Sequence, residues 1–484
     1  MQFWRTSAWG GLLAGLWCGT AAAHTFGRVY SLPVPVWMYL YGAAAALALS
    51  FLLIAWFATK GERQAAGGSR ELGDSALLRL AWRLRLMRCL QGLSLGGLLL
   101  AIATGLWGTV NPYGNWSMTW FWVLFVLGLA YFTALGGNLY PWINPWRLLC
   151  AGLGRLWRRY PQGLLRYPRG LDHWPALVLY MGFIWIELHA ELGTGGLGGL
   201  LVGYSVLNLV GVGLIGARDW FRYVEFFGLF FRLIGQMAPL AWARGGRLQL
   251  RAPCAGLIGQ RAESFAVLLF ILFMLSSTAF DGLRYTTPWV RLFWVDLYAW
   301  LQPWVGRDPV AAYRLMKPLY EIWSSAILLL SPLLYLAVYL AFIAMVRGIT
   351  RSALPVGELA LRFAPSLLPI ALVYHVAHYY TLFITQGIKI IGLASDPFGW
   401  RWNLFGTTHW LRSNWVPEPE IIWHSQLALI VGGHIVGVYI AHVTALELFG
   451  DRRRAALSQL PMLGLMMLFT AFGLWILGQP ISSG

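Results

Sequence analysis

Ala326-Ile-Leu-Leu-Leu-Ser-Pro-Leu-Leu-Tyr-Leu-Ala-Val-Tyr-Leu-Ala-Phe-Ile-Ala-Met345 contains no acidic, basic or histidine side chain, and Arg347 and Arg351 follow directly. About twenty apolar residues are what an α-helix needs to cross the hydrocarbon of a bilayer. Arginine just past one end marks the side that stays in the cytoplasm. The pattern recurs along the chain, with spans near 36–58, 88–108, 117–137, 173–193, 196–216, 263–283, 319–345, 363–390, 421–446 and 459–478. The expected fold is therefore all-α: a polytopic membrane helix bundle of about ten transmembrane helices.

Composition points the same way. Of 484 residues, 58% are hydrophobic and 11% charged, where a soluble globular domain has about a quarter charged. The 28 tryptophans suit rings that anchor helices at two membrane interfaces. A net charge of +17 could suggest nucleic acid, but that requires basic residues gathered on a solvated face with stacking aromatics between them. Here the charge falls in loops between apolar spans. Runs from Lys60 to Arg88, Arg147 to Arg169, Arg218 to Arg261, Arg347 to Arg362 and Arg452 to Arg454 alternate with the spans as the positive-inside rule demands. A multi-pass protein of a bacterial inner membrane follows, with both mature ends periplasmic.

The chain opens Met-Gln-Phe-Trp-Arg5, continues apolar from Trp9 to Thr20, and reaches Ala21-Ala-Ala23 before His24. That is the order of a cleavable signal peptide over 1–23, leaving 24–484 as one transmembrane domain. An uncleaved first helix is the alternative. Cys89, Cys150 and Cys254 fall on the reducing side and predict no disulfide. The segment Asp219 to Pro239 mixes phenylalanines with Arg222 and Arg232 and reads as an interfacial helix along the inner leaflet. Thr287 to Trp304 reads likewise on the outer surface. The sequence alone displays no internal repeat.

Ionisable groups inside the hydrocarbon are costly and usually mark a pathway, a cofactor or a partner. His375 and His378 share a helix face, roughly 15–20 Å above the cytoplasmic end of their span. His434 on the next span lies near the same depth, so three imidazoles could converge. His442 falls lower on that span and His424 higher. Such a ladder suits a transition metal, zinc or copper, or a proton route. The bland alternative is hydrogen bonding across helices to Tyr379, Tyr380, Gln386 or Gln426. Two histidines at equal depth, with Gly432 and Gly433 beside His434, could also seat a b-type haem. Glu187, with Trp185 and His189 on the fourth span, could serve as general base. Asp396, with Glu191, Asp281 and His409, could complete a site open to the periplasm, although Asp396 before Pro397 also suits a turn. A free N-terminal His24 could chelate copper through its amine and imidazole.

The stretches His24-Thr-Phe-Gly-Arg-Val-Tyr-Ser-Leu-Pro-Val-Pro-Val-Trp-Met-Tyr-Leu-Tyr-Gly42, Gly137-Asn-Leu-Tyr-Pro-Trp-Ile-Asn-Pro-Trp-Arg147, His375 to Phe405 with its Ser395-Asp-Pro-Phe-Gly399, and Gly433-His-Ile-Val-Gly-Val-Tyr-Ile-Ala-His442 resemble a bacterial multispanning family. Its members are commonly labelled fenitrothion hydrolase, and the resemblance runs over nearly the whole mature chain. It implies a metal-dependent hydrolase of lipophilic, organophosphate-like esters, in which His375, His378 and His434 hold the metal and Glu187 or Asp396 is the base. Two other classes stay open: a secondary transporter or metal-ion permease, and a membrane subunit whose aromatic loops dock a periplasmic or membrane protein partner.

Overall fold

The computed structural model describes residues 35–57, 70–71, 85–242, 248–306, 308, 310–412 and 416–479. The expected signal peptide and His24 lie outside the described residues. The principal helices are α1 (Val36–Phe57), α2 (Leu86–Trp107), α3 (Trp116–Gly136), α4 (Pro145–Leu156), α5 (Trp174–His189), α6 (Thr194–Ile215), α7 (Phe226–Gly235), α8 (Phe265–Leu283), α9 (Tyr313–Thr350), α10 (Val356–Gly387), α11 (Pro419–Phe449) and α12 (Arg452–Leu477). Among the described residues nine of them, all but α4, α5 and α7, are long and apolar enough to cross a membrane. The remaining expected span, 173–193, is α5, apolar but only 16 residues long. The chain is a polytopic membrane helix bundle. Its arginine-rich loops gather at one end, termed here the basic face, where a small antiparallel sheet orders β1 (Arg70–Glu71), β3 (Leu248–Leu250) and β2 (Leu240–Trp242).

Two segments leave the basic face and turn back into the bundle. The first follows α3: Gly137 at φ 84° reverses the chain, and Tyr140–Ile143 re-enters beside α2, where Gln91 and Ser94 donate to the carbonyls of Trp142 and Ile143. Ser94 lies roughly 12 Å along α2 from Leu86 at 1.5 Å per residue. Asn144 then caps α4 by accepting from Arg147 N at 3.0 Å, and α4 climbs back along α6, with Trp146 donating to Ser205 and Tyr160, just beyond it, donating to Leu209 O. The second follows α6 by the same route. Gly216 at φ 83° reverses the chain, Trp220 donates to Asn208 of α6, Glu225 caps α7 through Gly228 N at 2.8 Å, and α7 returns to Asn138 at the end of α3. A Cβ at Gly216 would lie 2.8 Å from Gln162 O, so the turn has no room for a side chain.

The order α2, α3, hairpin, α4 is thus repeated as α5, α6, hairpin, α7. The neighbours exchange as a two-fold repeat requires: α2 packs on α6 and α4 on α6, while α3 packs on α5 and α7 on α3. This repeated order of elements is not displayed by the sequence alone, and the structure corrects one expectation: the phenylalanine-rich segment after Asp219 is enclosed in the bundle and does not lie along its surface. Seven of the ten α7 residues are buried, ringed by Phe125, Tyr140, Trp146, Tyr180 and Phe183. Irregular backbone at membrane depth is tolerated only inside protein, and this aromatic jacket supplies that enclosure. Its composition is that of an interfacial helix, which is why the sequence alone points there.

α5, α9, α10 and α12 pack around α8, in which every residue from Ala266 to Asp281 is buried, and α1 and α11 pack outside them. On the opposite face Thr287–Val305 forms short helical turns with Trp300 and Trp304 exposed and Phe293 packed on Tyr320 and Trp323 of α9. Lipid gives helices no hydrophobic reason to associate, so small residues at crossings carry much of the packing. Gly105 and Gly198 bring α2 and α6 into backbone contact, and a Cβ at Gly105 would sit 2.8 Å from Gly198 Cα. Gly105→Leu should therefore lower stability by about 1–3 kcal/mol, the overpacking range, read as a thermal-unfolding shift in detergent.

On the basic face Arg232 ion-pairs with Glu263 and its Nη2 lies 3.3 Å from His173 Nε2, joining the ends of α5, α7 and the approach to α8. Burial, then the Arg232 cation, hold His173 below its ordinary pKa. Partial burial acts to raise the Glu263 carboxyl, but Arg232 outweighs it and keeps the group below its ordinary value. Both groups bind fewer protons folded than unfolded, so their stabilisation is complete at neutral pH. It falls as the unfolded histidine protonates below about pH 6.5 and then through the carboxylate range. The melting temperature should drop from pH 7 to pH 5, and His173→Asn should flatten that drop.

Candidate functional site

Three helices each turn one stripe of polar side chains toward a common point. On α5, Tyr180 and Glu187 lie on one face with Phe183 and Ile184 between them; on α8 the stripe is Ser277, Thr278 and Asp281; on α10 it is His375, His378 and Tyr379. These spacings of three and four residues follow one side of a helix. Tyr180, Glu187, Ser277, Thr278, His375 and Tyr379 meet at a cavity of about 20 Å³, room for about one water, whose apolar wall is Phe226, Phe227 and Phe230 of the second hairpin.

Asp281 organises one edge of the site. Fully buried, it accepts from Tyr379 Oη at 2.8 Å, lies 2.8 Å from His378 Nε2, and faces Arg284 Nε at 3.3 Å. The Arg284 guanidinium in turn donates to Leu188 O, near the last turn of α5, and rests over the Tyr285 ring. One carboxylate and one guanidinium therefore tie α5, α8 and α10 together.

Glu187 and His375 differ from that network. Both face the cavity, and neither side chain has a hydrogen bond or ion pair to the described residues. Nδ1 of His375 is buried without a partner, and its ring is held by edge contacts with Tyr131, Phe230 and Tyr379. Glu187 lies within electrostatic reach of Asp281 and Arg284. His189, two residues on, points elsewhere and meets Ser324 of α9 at 3.1 Å.

The other expected residues separate. α10 and α11 do pack together, with Gln426 donating to Ala377 O and Tyr380 meeting Ser425. His434 is buried against the Tyr374 ring, its Nδ1 2.8 Å from Ile430 O and its Nε2 unbonded among the described residues. A methyl at Gly433 would meet the Val373 side chain, so this glycine accommodates the neighbouring helix. His442 is buried farther along α11. His424 and His409 are exposed and face the backbone carbonyls of Glu420 and Gly406. Asp396 accepts from the amides of Trp400 and Arg401 at 2.9 and 2.7 Å, which makes it the organiser of its own turn. That loop packs on the α2–α3 connection through Thr109 N to Phe398 O. Among the described residues no three histidine, cysteine or carboxylate side chains gather closely enough to hold a metal ion.

Sequence reasoning missed Arg284 and Glu225. The first carried a signal: Asp281-Gly-Leu-Arg284 sets opposite charges three residues apart at the end of an apolar span. Asp281→Ala should strand the Arg284 charge and cost about 3–5 kcal/mol, whereas Asp281→Asn, which keeps an acceptor, should cost less; thermal unfolding in detergent measures both. The chain matches no family model, no curated protein and no solved structure.

Proposed function

We propose that the protein is a proton-translocating transporter of a bacterial inner membrane, of the secondary class, with its basic face in the cytoplasm and Glu187 and His375 as its exchanging groups. The observation that carries this reading is the pair of ionisable side chains, Glu187 and His375, that line one cavity of the bundle, with Nδ1 of His375 buried and unbonded among the described residues. Ionisable groups at such depth are costly and persist where they serve a pathway. Asp281, Arg284, His378 and Tyr379 are already engaged with one another and hold the three helices that present the pair. A carboxylate and an imidazole differ little enough in proton affinity to pass a proton between them near neutrality.

Proteoliposomes loaded with a pH dye, under an imposed potassium diffusion potential, test the proposal. The unaltered protein should acidify or alkalinise the lumen according to the sign of the potential. Glu187→Gln should cut that flux at least about a hundredfold, the low end of what losing a proton-transfer group costs. Equal flux in the two proteins would sink the proposal.

A second reading, hydrolysis of an aryl phosphotriester, draws on the aromatic wall of the cavity beside a free carboxylate and on the family resemblance. It requires a bound metal to activate water. Stoichiometric zinc or copper by elemental mass spectrometry, with turnover lost in Glu187→Gln, would favour it over transport.

A further inference from the structure

Glu225 stands at the innermost point of the second hairpin, roughly 16 Å along α6 from Ile215 as judged by its partner Tyr204. It is buried, at 1% exposure. Its two oxygens have different surroundings. Oε1 receives Tyr140 Oη at 3.0 Å and Tyr204 Oη at 3.1 Å. Oε2 receives Gly228 N at 2.8 Å and Asn144 Nδ2 at 3.4 Å. The titratable groups that face it are those two tyrosines, one from the first hairpin and one from α6. N-termini of α4 and α7 both converge here, and their dipoles favour an anion.

Helix capping does not require this charge. At the matching position of the first hairpin an uncharged residue, Asn144, caps α4 through the same kind of bond. The second hairpin carries a carboxylate instead, and the hydrogen-bond chemistry around it is asymmetric. An amide N–H can only donate, so Oε2 keeps its lone pairs engaged in every state. A tyrosine hydroxyl can donate or accept. One of the pair can therefore turn to accept from a protonated Oε1 while the other continues to donate.

We propose that Glu225 is a second proton-binding site of this protein, taking its proton on Oε1 between Tyr140 and Tyr204, on the basic-face side of the cavity. The inference rests on the proton-handling reading of Glu187 and His375. The next two residues, Phe226 and Phe227, form part of the wall of that cavity. In the other direction Tyr204 O accepts from Asn208, and Asn208 accepts from Trp220 near the start of the hairpin. Glu225 thus lies between the cavity and the basic end of α6.

Infrared difference spectra of the full chain in detergent, recorded across an acid titration, read protonated carboxyl groups directly. A carboxyl stretch should grow on acidification, vanish in Glu225→Gln and persist in Glu187→Gln. Tyr204→Phe should shift it, because one of its two reversible partners is removed. A folded Glu225→Gln protein with an unchanged spectrum overturns the proposal. If that variant does not fold, an unshifted band in Tyr204→Phe overturns it instead. A spectrum insensitive to Glu187→Gln alone would count against the cavity reading and leave the Glu225 assignment standing.

Discussion

A chain that reverses inside a bilayer must find partners for its backbone within the protein, because hydrocarbon offers none. Both hairpins meet this constraint in the same way. Each begins at a glycine with positive φ, and each ends its descent at a side chain that caps the returning helix. Side-chain donors from α2 satisfy exposed carbonyls on the first descent. Glu225 then links the two apices, since Tyr140 and Asn144 of one hairpin donate to the carboxylate of the other. The aromatic packing around α7 follows from this arrangement, and so does the wall of the cavity.

The polar residues of the bundle divide into those that hold and those that wait. Asp281 and Arg284 neutralise each other and draw His378, Tyr379 and the end of α5 to one place. That network gives α5 and α10 a defined rotation, and the rotation aims Glu187 and His375 into shared space. A buried ion pair contributes little net stability once desolvation is counted. Its service here is geometric.

Apolar stretches and arginine-rich loops were legible because the bilayer imposes a length and a charge asymmetry that any sequence must respect. The bundle is all-α as expected, and the spans near 36–58, 88–108, 117–137, 196–216 and 421–446 coincide closely with α1, α2, α3, α6 and α11. What was not legible depends on tertiary enclosure. The run Phe226-Phe-Gly-Leu-Phe-Phe231 has the same composition whether it faces lipid or other aromatics, and only its neighbours decide. The repeat hid because its halves share backbone turns and cap positions while their side chains differ, Asn144 against Glu225. Among the site residues, Glu187 and His375 were read from their cost in hydrocarbon. Their convergence, and the divergence of His434 and Asp396, depended on helix rotation, which spacing along one helix does not determine.

The brevity of α5 has a consequence for the lipid around it. Sixteen residues rise about 24 Å, against about 30 Å of hydrocarbon in a typical bilayer. Among its neighbours α3, α8 and α9 are longer, so a bilayer matched to them would have to thin along the flank of α5. Glu187, two residues from the end of the helix, would then lie beneath that dimple, and membrane thickness would act on it as a mechanical variable set by lipid chain length.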